Sequence, residues 1–163
     1  MENDSEHMEQ WPVCIYGKYP LGPARGLDIT RDCLKKTLPE KNFSDQPKLL
    51  DAYAAAYGTT LFYEDQVVVK DFQNKYPQYE DSFPIWSQEA SATHQFAVWN
   101  VLCDAGFGAS LQHYNPTIDK AVATAFGLSP EWKLTGQMPF GAPADKPAKK
   151  DFAPLNTRAV MFK

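Results

Sequence analysis

Residues 83–108 read FPIWSQEASATHQFAVWNVLCDAGFG, and this stretch decides the fold of the chain. Proline suits the first turn of a helix and glycine suits its end, so we predict one long helix from Pro84 or Ile85 to Asp104. Apolar or small side chains lie around most of its circumference, which is typical of a helix that is buried on several faces. We therefore expect the helix either to be central to the domain or to meet another subunit on one side.

Helical and strand patterns alternate on both sides of the long helix. Before it we predict, in order, a strand over 11–16, helices over 27–38 and 47–57, a strand over 59–63 and a helix over 64–75. After it we predict a short strand over 109–112, a helix over 116–126, a strand over 132–138 and a last strand over 158–162. Strands interleaved with helices predict an α/β or α+β domain.

The composition limits the class of protein. A chain of 163 residues is long enough for one domain with a core, and we assign 1–10 to a disordered acidic tail and 11–163 to the domain. A net charge of −4 offers no basic face for nucleic acid, and the longest apolar runs are too short to cross a membrane. The cysteines are widely spaced and form no zinc-binding pattern, which predicts reduced thiols. The acidic start of the sequence does not match a secretory or mitochondrial presequence, so we expect a cytoplasmic protein. The three histidines lie too far apart to argue for a metal site.

Three stretches that occur in order resemble the nitroreductase family, in particular its small subgroup found in fungi and bacteria. They are YGTTLFYED at 57–65, FPIWS at 83–87 leading into QFAVW at 95–99, and GFGASLQHYNP at 106–116. WKL at 132–134 and QMPFG at 137–141 follow in family order. The match runs from about Leu27 to the end of the chain, and the third stretch is the most specific part of it.

The resemblance implies a fold, a cofactor and a reaction. The implied fold is α+β, with a mixed sheet flanked by helices and the long helix at its centre, in the core of a homodimer. The implied cofactor is FMN at the subunit interface, and the implied electron donor is NAD(P)H. Nitroaromatic or quinone-type compounds are the implied acceptors, with a role in the oxidative-stress response.

The turn formed by Gln112, His113 and Tyr114 is the first candidate site. In the family this segment corresponds to one whose backbone faces the N5/O4 edge of the flavin. Backbone N–H groups there would stabilise charge that develops on the reduced ring. The spacing alone allows another interpretation, a strand-to-helix turn in which Pro116 starts the helix and His113 is a solvated or core histidine.

A basic cluster near the C-terminus is the second candidate site. It comprises Lys146, Lys149, Lys150 and Arg158 in an otherwise acidic chain. By resemblance, Lys150 and Arg158 match a lysine and an arginine close to the flavin phosphate. Arginine suits this position because its planar fork donates two parallel hydrogen bonds to phosphate oxygens. The alternative is a solvated basic loop, to which we assign Lys146 and Lys149.

The sequence departs from the family at its beginning. Family members start with a helix whose Arg-Arg pair holds the phosphate and ribityl chain of FMN. This sequence contains no Arg-Arg dipeptide, and 1–10 do not match such a helix, so the resemblance implies a domain shortened at its N-terminus. A flavin-dependent enzyme is the first expectation. The alternative is a flavin-free dimerising or interaction subunit derived from the same fold.

Overall fold

The computed structural model describes residues 12–17, 22–37, 46–145 and 149–162, with side chains described for 28–37, 48–145 and 149–162. The strands are β1 (Pro12–Gly17), β2 (Gly58–Asp65), β3 (Gly108–Ala109) and β4 (Trp132–Gly141). The α-helices are α1 (Gly22–Thr37), α2 (Gln46–Ala54), α3 (Gln66–Lys75), α4 (Phe83–Asp104) and α5 (Asp119–Phe126). Short 3-10 helices cover Pro77–Tyr79 and Leu155–Thr157.

The described strands form one four-stranded sheet in the order β1-β2-β4-β3, in which every neighbouring pair is antiparallel. Its longest pairing joins β2 to β4 and places Glu64 beside Lys133. The predicted α+β class is confirmed, but the mixed sheet is wrong for these strands. The helical connections return the chain to the sheet in the opposite direction, so they create no parallel neighbours among the described strands.

Helices cover both faces of the sheet. On one face Tyr63 and Leu134 pack with Ile118 and Val122, beside α5, and all four side chains are 1% exposed. On the other face α4 lies across the sheet and covers Phe62. Phe62 and Tyr63 belong to opposite faces because successive side chains of a strand point in opposite directions. The sheet is therefore the middle layer of the domain.

Helix α4 packs on the sheet through a narrow and mostly polar stripe. The residues that it buries occur at every fourth position and are Phe83, Ser87, Ser91 and Gln95. Several of its large apolar side chains face away from the sheet, and Phe96 and Val101 are each 67% exposed. The expectation that α4 is buried on several faces is thus wrong for a single chain. Contact with another subunit, the other alternative, would cover this apolar surface.

The C-terminal segment, 149–162, is exposed throughout. Met161 and Phe162, near its end, are each 94% exposed. The strand predicted at 158–162 is wrong, because this segment forms only a 3-10 turn followed by irregular chain. A strand needs a neighbouring edge for its N–H and C=O groups, and no described strand lies beside it. The predicted tail, 1–10, and Lys146 lie outside the described residues.

The other predicted elements are present with shifted boundaries. Asp65 explains where α3 begins, because its Oδ1 accepts from the backbone N–H of Val67 at 3.0 Å and caps the helix. Its Oδ2 accepts from Nε1 of Trp132 at 3.2 Å, which ties the start of α3 to β4. Residues 115–118 form a turn, so α5 starts at Asp119 and not at Pro116. No helix within the described ranges is long and apolar enough to span a membrane.

We expect Asp65→Ala to lower the free energy of unfolding by about 2 kcal/mol, because it removes the cap of α3 and the acceptor for Trp132. Asp65→Asn keeps an oxygen for the N–H of Val67 and loses only the bond from Trp132, so its loss should be about 1 kcal/mol. Urea unfolding of the two variants and the parent protein measures both effects. Equal losses in the two variants would contradict this account of Asp65.

Candidate active site

The turn between β3 and α5 is fixed to β4 by hydrogen bonds. Gln112 and Gln137 exchange backbone N–H···O bonds of 2.7 and 2.9 Å. The backbone N–H of Tyr114 donates to the side-chain Oε1 of Gln137 at 2.9 Å. Between them, the backbone N–H of His113 has no acceptor in the described part of the chain. The structure thus brings the three predicted turn residues together and leaves one backbone donor open.

A β-bulge in β4 directs the backbone carbonyl of Thr135 toward this turn. Two consecutive residues of β2 pair with Gly136 and Leu134, so Thr135 is the additional residue of β4. A bulged residue leaves the ladder, and its backbone and side chain take new directions. The carbonyl oxygen of Thr135 lies 3.1 Å from Nδ1 of His113. Since a carbonyl can only accept, Nδ1 carries a proton in this arrangement, and Nε2 remains for other partners.

Thr135 also joins a chain of hydrogen bonds to α4. Its Oγ1 donates to the carbonyl oxygen of Phe62 at 3.2 Å, so the same oxygen can only accept from its other neighbours. Ser91 Oγ, 3.0 Å away, therefore donates to Thr135. Nε2 of Gln95 donates to both hydroxyl oxygens at 3.3 Å. These bonds fix the orientation of the Gln95 amide and leave its Oε1 as an acceptor.

A cavity of about 310 Å³ lies between α4, β4 and the turn. Gly136 lets the turn pack closely on β4 beside the cavity, since a Cβ there would lie 3.2 Å from Leu111 and 3.6 Å from Cε1 of His113. Polar side chains line the cavity together with Ala92 and Leu134, so a ligand would meet both hydrogen-bond partners and apolar contacts. The polar side chains that line the cavity include Gln88, Ser91, Gln95, His113, Asn115 and Lys133.

Lys133 brings a positive charge to the cavity and faces two carboxyl groups. Its Nζ lies 3.7 Å from Oε2 of Glu64, whose side chain is 3% exposed. Burial raises the pKa of Asp119, and the charge of Lys133 partly offsets that rise. Burial, together with the charge of Asp119, also raises the pKa of Tyr63, which keeps this phenol neutral. One buried oxygen in each of Glu64, Asp119 and Tyr63 has no hydrogen-bond partner among the described residues.

Lys150 and Arg158 lie in the exposed C-terminal segment and do not line the cavity. The backbone N–H of Arg158 donates to the carbonyl oxygen of Leu155 at 3.1 Å and closes the 3-10 turn. Neither cation forms an ion pair within the described ranges, so both are available to an anion. Their assignment to a flavin phosphate stays a prediction, because the structure does not bring them to the turn.

The sequence interpretation missed the residues of α4 and β4 that complete the site. Gln95 and Ser91 carried a usable signal, because together with Ser87 they form a polar series at every fourth position of the helix. Thr135 and Lys133 carried none, since threonine and lysine at these places are ordinary residues of a strand with one polar face.

Comparison with solved structures identifies the fold. The nitroreductase CinD from Lactococcus lactis, in complex with chloramphenicol, matches with a TM-score of 0.84 and 34% identity, over 97% of this chain and 84% of that chain. A nitroreductase from Saccharomyces cerevisiae matches with a TM-score of 0.64 at 21% identity, over 85% of this chain and 78% of that chain, which is a likeness of fold. No protein-family model matches the chain.

Two yeast proteins are similar in sequence. HBN1 of Saccharomyces cerevisiae, a presumed nitroreductase, is 29% identical over 135 residues, which cover 80% of this chain and 69% of HBN1. The nitroreductase FRM2 of the same yeast is 26% identical over 121 residues, covering 74% of this chain and 61% of FRM2. The shared fold and the sequence similarity place the chain in a class of α+β oxidoreductases. With 34% identity to CinD across nearly all of its length, the chain belongs to the nitroreductase family.

We expect Asp119→Asn to stabilise the protein at neutral pH. Burial raises the folded-state pKa of Asp119 above 3.8, so this carboxyl favours folding while it is protonated. That contribution is complete below pH 3.8 and is lost as the pH rises through the raised pKa. The asparagine variant cannot ionise, so its urea midpoint should exceed that of the parent protein at pH 7 and converge with it at acidic pH. A variant that is less stable than the parent at pH 7 would refute this reasoning.

Proposed function

We propose that the protein is an FMN-dependent oxidoreductase that takes electrons from NAD(P)H and reduces nitroaromatic or quinone-type acceptors. The observation that carries this proposal is the open backbone donor of His113, on a turn fixed to β4 and beside a cavity. Membership of the nitroreductase family supplies the class of reaction. A cytoplasmic location and a contribution to the oxidative-stress response are parts of the same proposal.

The residues of the turn fit the polar edge of a flavin, which requires hydrogen-bond donors. His113 offers its backbone N–H. Gln137, 5% exposed, has an Nε2 without a partner among the described residues, while its Oε1 is held by Tyr114. When bound, FMN would supply the hydride chemistry that no amino-acid side chain provides. The turn would bind and orient this edge.

Lys150 and Arg158 would hold the phosphate of FMN. Both side chains are exposed and form no ion pair within the described residues, so an incoming phosphate would displace no carboxylate from them. The exposed C-terminal segment that carries them would have to lie against the flavin, in the same chain or in a second copy.

The cavity suits a small acceptor. Its volume of about 310 Å³ lies at the lower end of the range for small-molecule sites, roughly 300–1,000 Å³. Solved structures of CinD contain chloramphenicol and 4-nitrophenol. With 33–34% identity between the chains, these complexes support nitroaromatic acceptors for this protein.

A homodimer is the second part of the proposal. Phe96, Trp99 and Val101 of α4 expose 67%, 37% and 67% of their surfaces. Exposed apolar area of this kind marks a protein–protein interface. The C-terminal segment, ending in the exposed Met161 and Phe162, offers a second apolar surface to the same partner. A second copy of the chain would cover both surfaces.

The same apolar surfaces also favour a second candidate function. A flavin-free dimerising or interaction subunit would need the outer face of α4, but would not need the open donor at the turn. Flavin binding and turnover therefore distinguish the two candidates.

We expect the purified protein to retain a yellow flavin band after FMN is added and excess is removed, and to oxidise NADH or NADPH with 4-nitrophenol or menadione. Arg158→Ala should weaken FMN binding about 10- to 100-fold, because a charge-assisted hydrogen bond contributes roughly 1.5–3 kcal/mol. Lys149→Ala, which removes another exposed cation of the same segment, is the control and should bind FMN as the parent does. A colourless protein without turnover would favour the second candidate.

We expect the protein to sediment as a dimer and Phe96→Glu to sediment as a monomer, because the variant places a charge in the apolar surface that the partner would cover. Val67→Glu makes the same change at a side chain of α3 that is 46% exposed, and this control should remain dimeric. Analytical ultracentrifugation measures both. A parent protein that is monomeric at micromolar concentration would contradict the homodimer.

A further inference from the structure

We propose that the side chain of His113 donates the proton that completes reduction of the acceptor. This inference rests on the proposed function, since it names a catalytic residue for that same reaction. It goes beyond the role of the turn in flavin binding, because that role uses the backbone N–H of His113 and this one uses its imidazole.

The imidazole of His113 is anchored at one nitrogen and open at the other. Nδ1 donates to the carbonyl oxygen of Thr135, 3.1 Å away, in both the neutral and the charged ring. The ring lines the cavity, and Nε2 has no partner in the described parts of the chain. Protonation therefore changes only the nitrogen that is free to meet a ligand, and leaves the anchor intact.

Among the described residues that line the cavity, His113 is the best suited to donate a proton. The side chains that α4 contributes, Gln88, Ser91 and Gln95, do not ionise near neutral pH. β4 contributes Lys133, whose ammonium faces the carboxyl groups of Glu64 and Asp119. Among the described residues of the wall, histidine is the type that exchanges a proton near neutral pH.

The position of the ring is set by the bulge in β4. Thr135 is held from three sides, by Phe62, Ser91 and Gln95, so its carbonyl oxygen is a fixed acceptor for His113. A general acid must lie within hydrogen-bond reach of the atom that it protonates. The ring of His113 is exposed, but a partly buried network fixes it at Nδ1, so it meets that need better than a histidine with both nitrogens free.

The chemistry balances with the groups that the proposed function names. Reduction of a quinone to a hydroquinone adds one hydride equivalent and one proton, and NAD(P)H is the source of the hydride. The Nε2–H bond of His113 breaks, a bond from that hydrogen to the acceptor oxygen forms, and the imidazolium becomes neutral imidazole. A solvent proton then restores the charged ring. NAD(P)H is oxidised to NAD(P)⁺, and the quinone is reduced.

The test compares two substitutions with opposite geometry. His113→Asn keeps an N–H near the position of Nδ1 and removes Nε2, whereas His113→Gln places an amide near Nε2 and loses the anchor to Thr135. With menadione as the acceptor, His113→Asn should retain FMN binding and lower the rate constant for acceptor reduction about 100-fold, as expected for a lost general acid. The parent rate should fall as the pH rises, because imidazolium is the donor, and this dependence should be absent from the variant.

An unchanged rate constant or an unchanged pH profile in His113→Asn would overturn the proposal. Loss of rate only in His113→Gln would also overturn it, since that result assigns the effect to the anchor and not to Nε2.

A second measurement needs no turnover. Long-range ¹H–¹⁵N spectra of the parent protein should show neutral His113 with its proton on Nδ1, and 4-nitrophenol should shift the Nε2 signal. A proton on Nε2 in the neutral ring, or an Nε2 signal that 4-nitrophenol leaves in place, would overturn the proposal. The expected spectra together with no NAD(P)H oxidation would instead count against the proposed function, and would show only that Nε2 of His113 faces a bound nitroaromatic compound.

Discussion

The bulge at Thr135 is the feature on which the candidate site depends. Without the additional residue in β4, the ladder with β2 would engage the carbonyl of Thr135, and the residue would take its place in the regular alternation. With it, the hydroxyl meets α4 and the carbonyl meets His113. One irregularity in a strand therefore fixes the helix, the turn and the imidazole relative to each other. Bulges are common beside active sites for this reason.

Helix α4 has a polar stripe against the sheet and large apolar side chains on its exposed surface, so it connects the packing of the domain with the proposed dimer. Its face toward the sheet carries serine and glutamine side chains whose hydrogen bonds have defined directions, while Phe96, Trp99 and Val101 are exposed. Hydrogen bonds of this kind contribute modestly to stability, about 1 kcal/mol each, but they tolerate few alternative positions. The hydrogen bonds of the inner face therefore fix the position of α4 on the sheet. The outer face exposes apolar side chains that contact with a second subunit would bury.

Local signals in the sequence predicted the elements better than their arrangement. The long helix followed from Pro84 and the glycines after Asp104, and the α+β class followed from alternating patterns. The bulge could not be predicted, because Thr135 and Gly136 also fit a regular strand. The strand expected at 158–162 failed for a related reason: its residues favour extended chain, but a strand exists only beside an edge, and local sequence does not show where an edge lies.

The site residues divide in the same way. Gln112, His113 and Tyr114 are consecutive, so a single motif could place them together, and the structure does so. Gln95, 17 positions before Gln112, and Thr135, 23 after it, reach the same cavity only through the packing of α4 on β4. Their contribution depends on three-dimensional contacts that no local pattern encodes. The motif thus indicates where a ligand would be held. The tertiary hydrogen-bond network, by contrast, determines that Nδ1 of His113 is bonded to Thr135 and that Nε2 stays open. An open Nε2 distinguishes a histidine that can donate a proton to a ligand from one with a purely structural role.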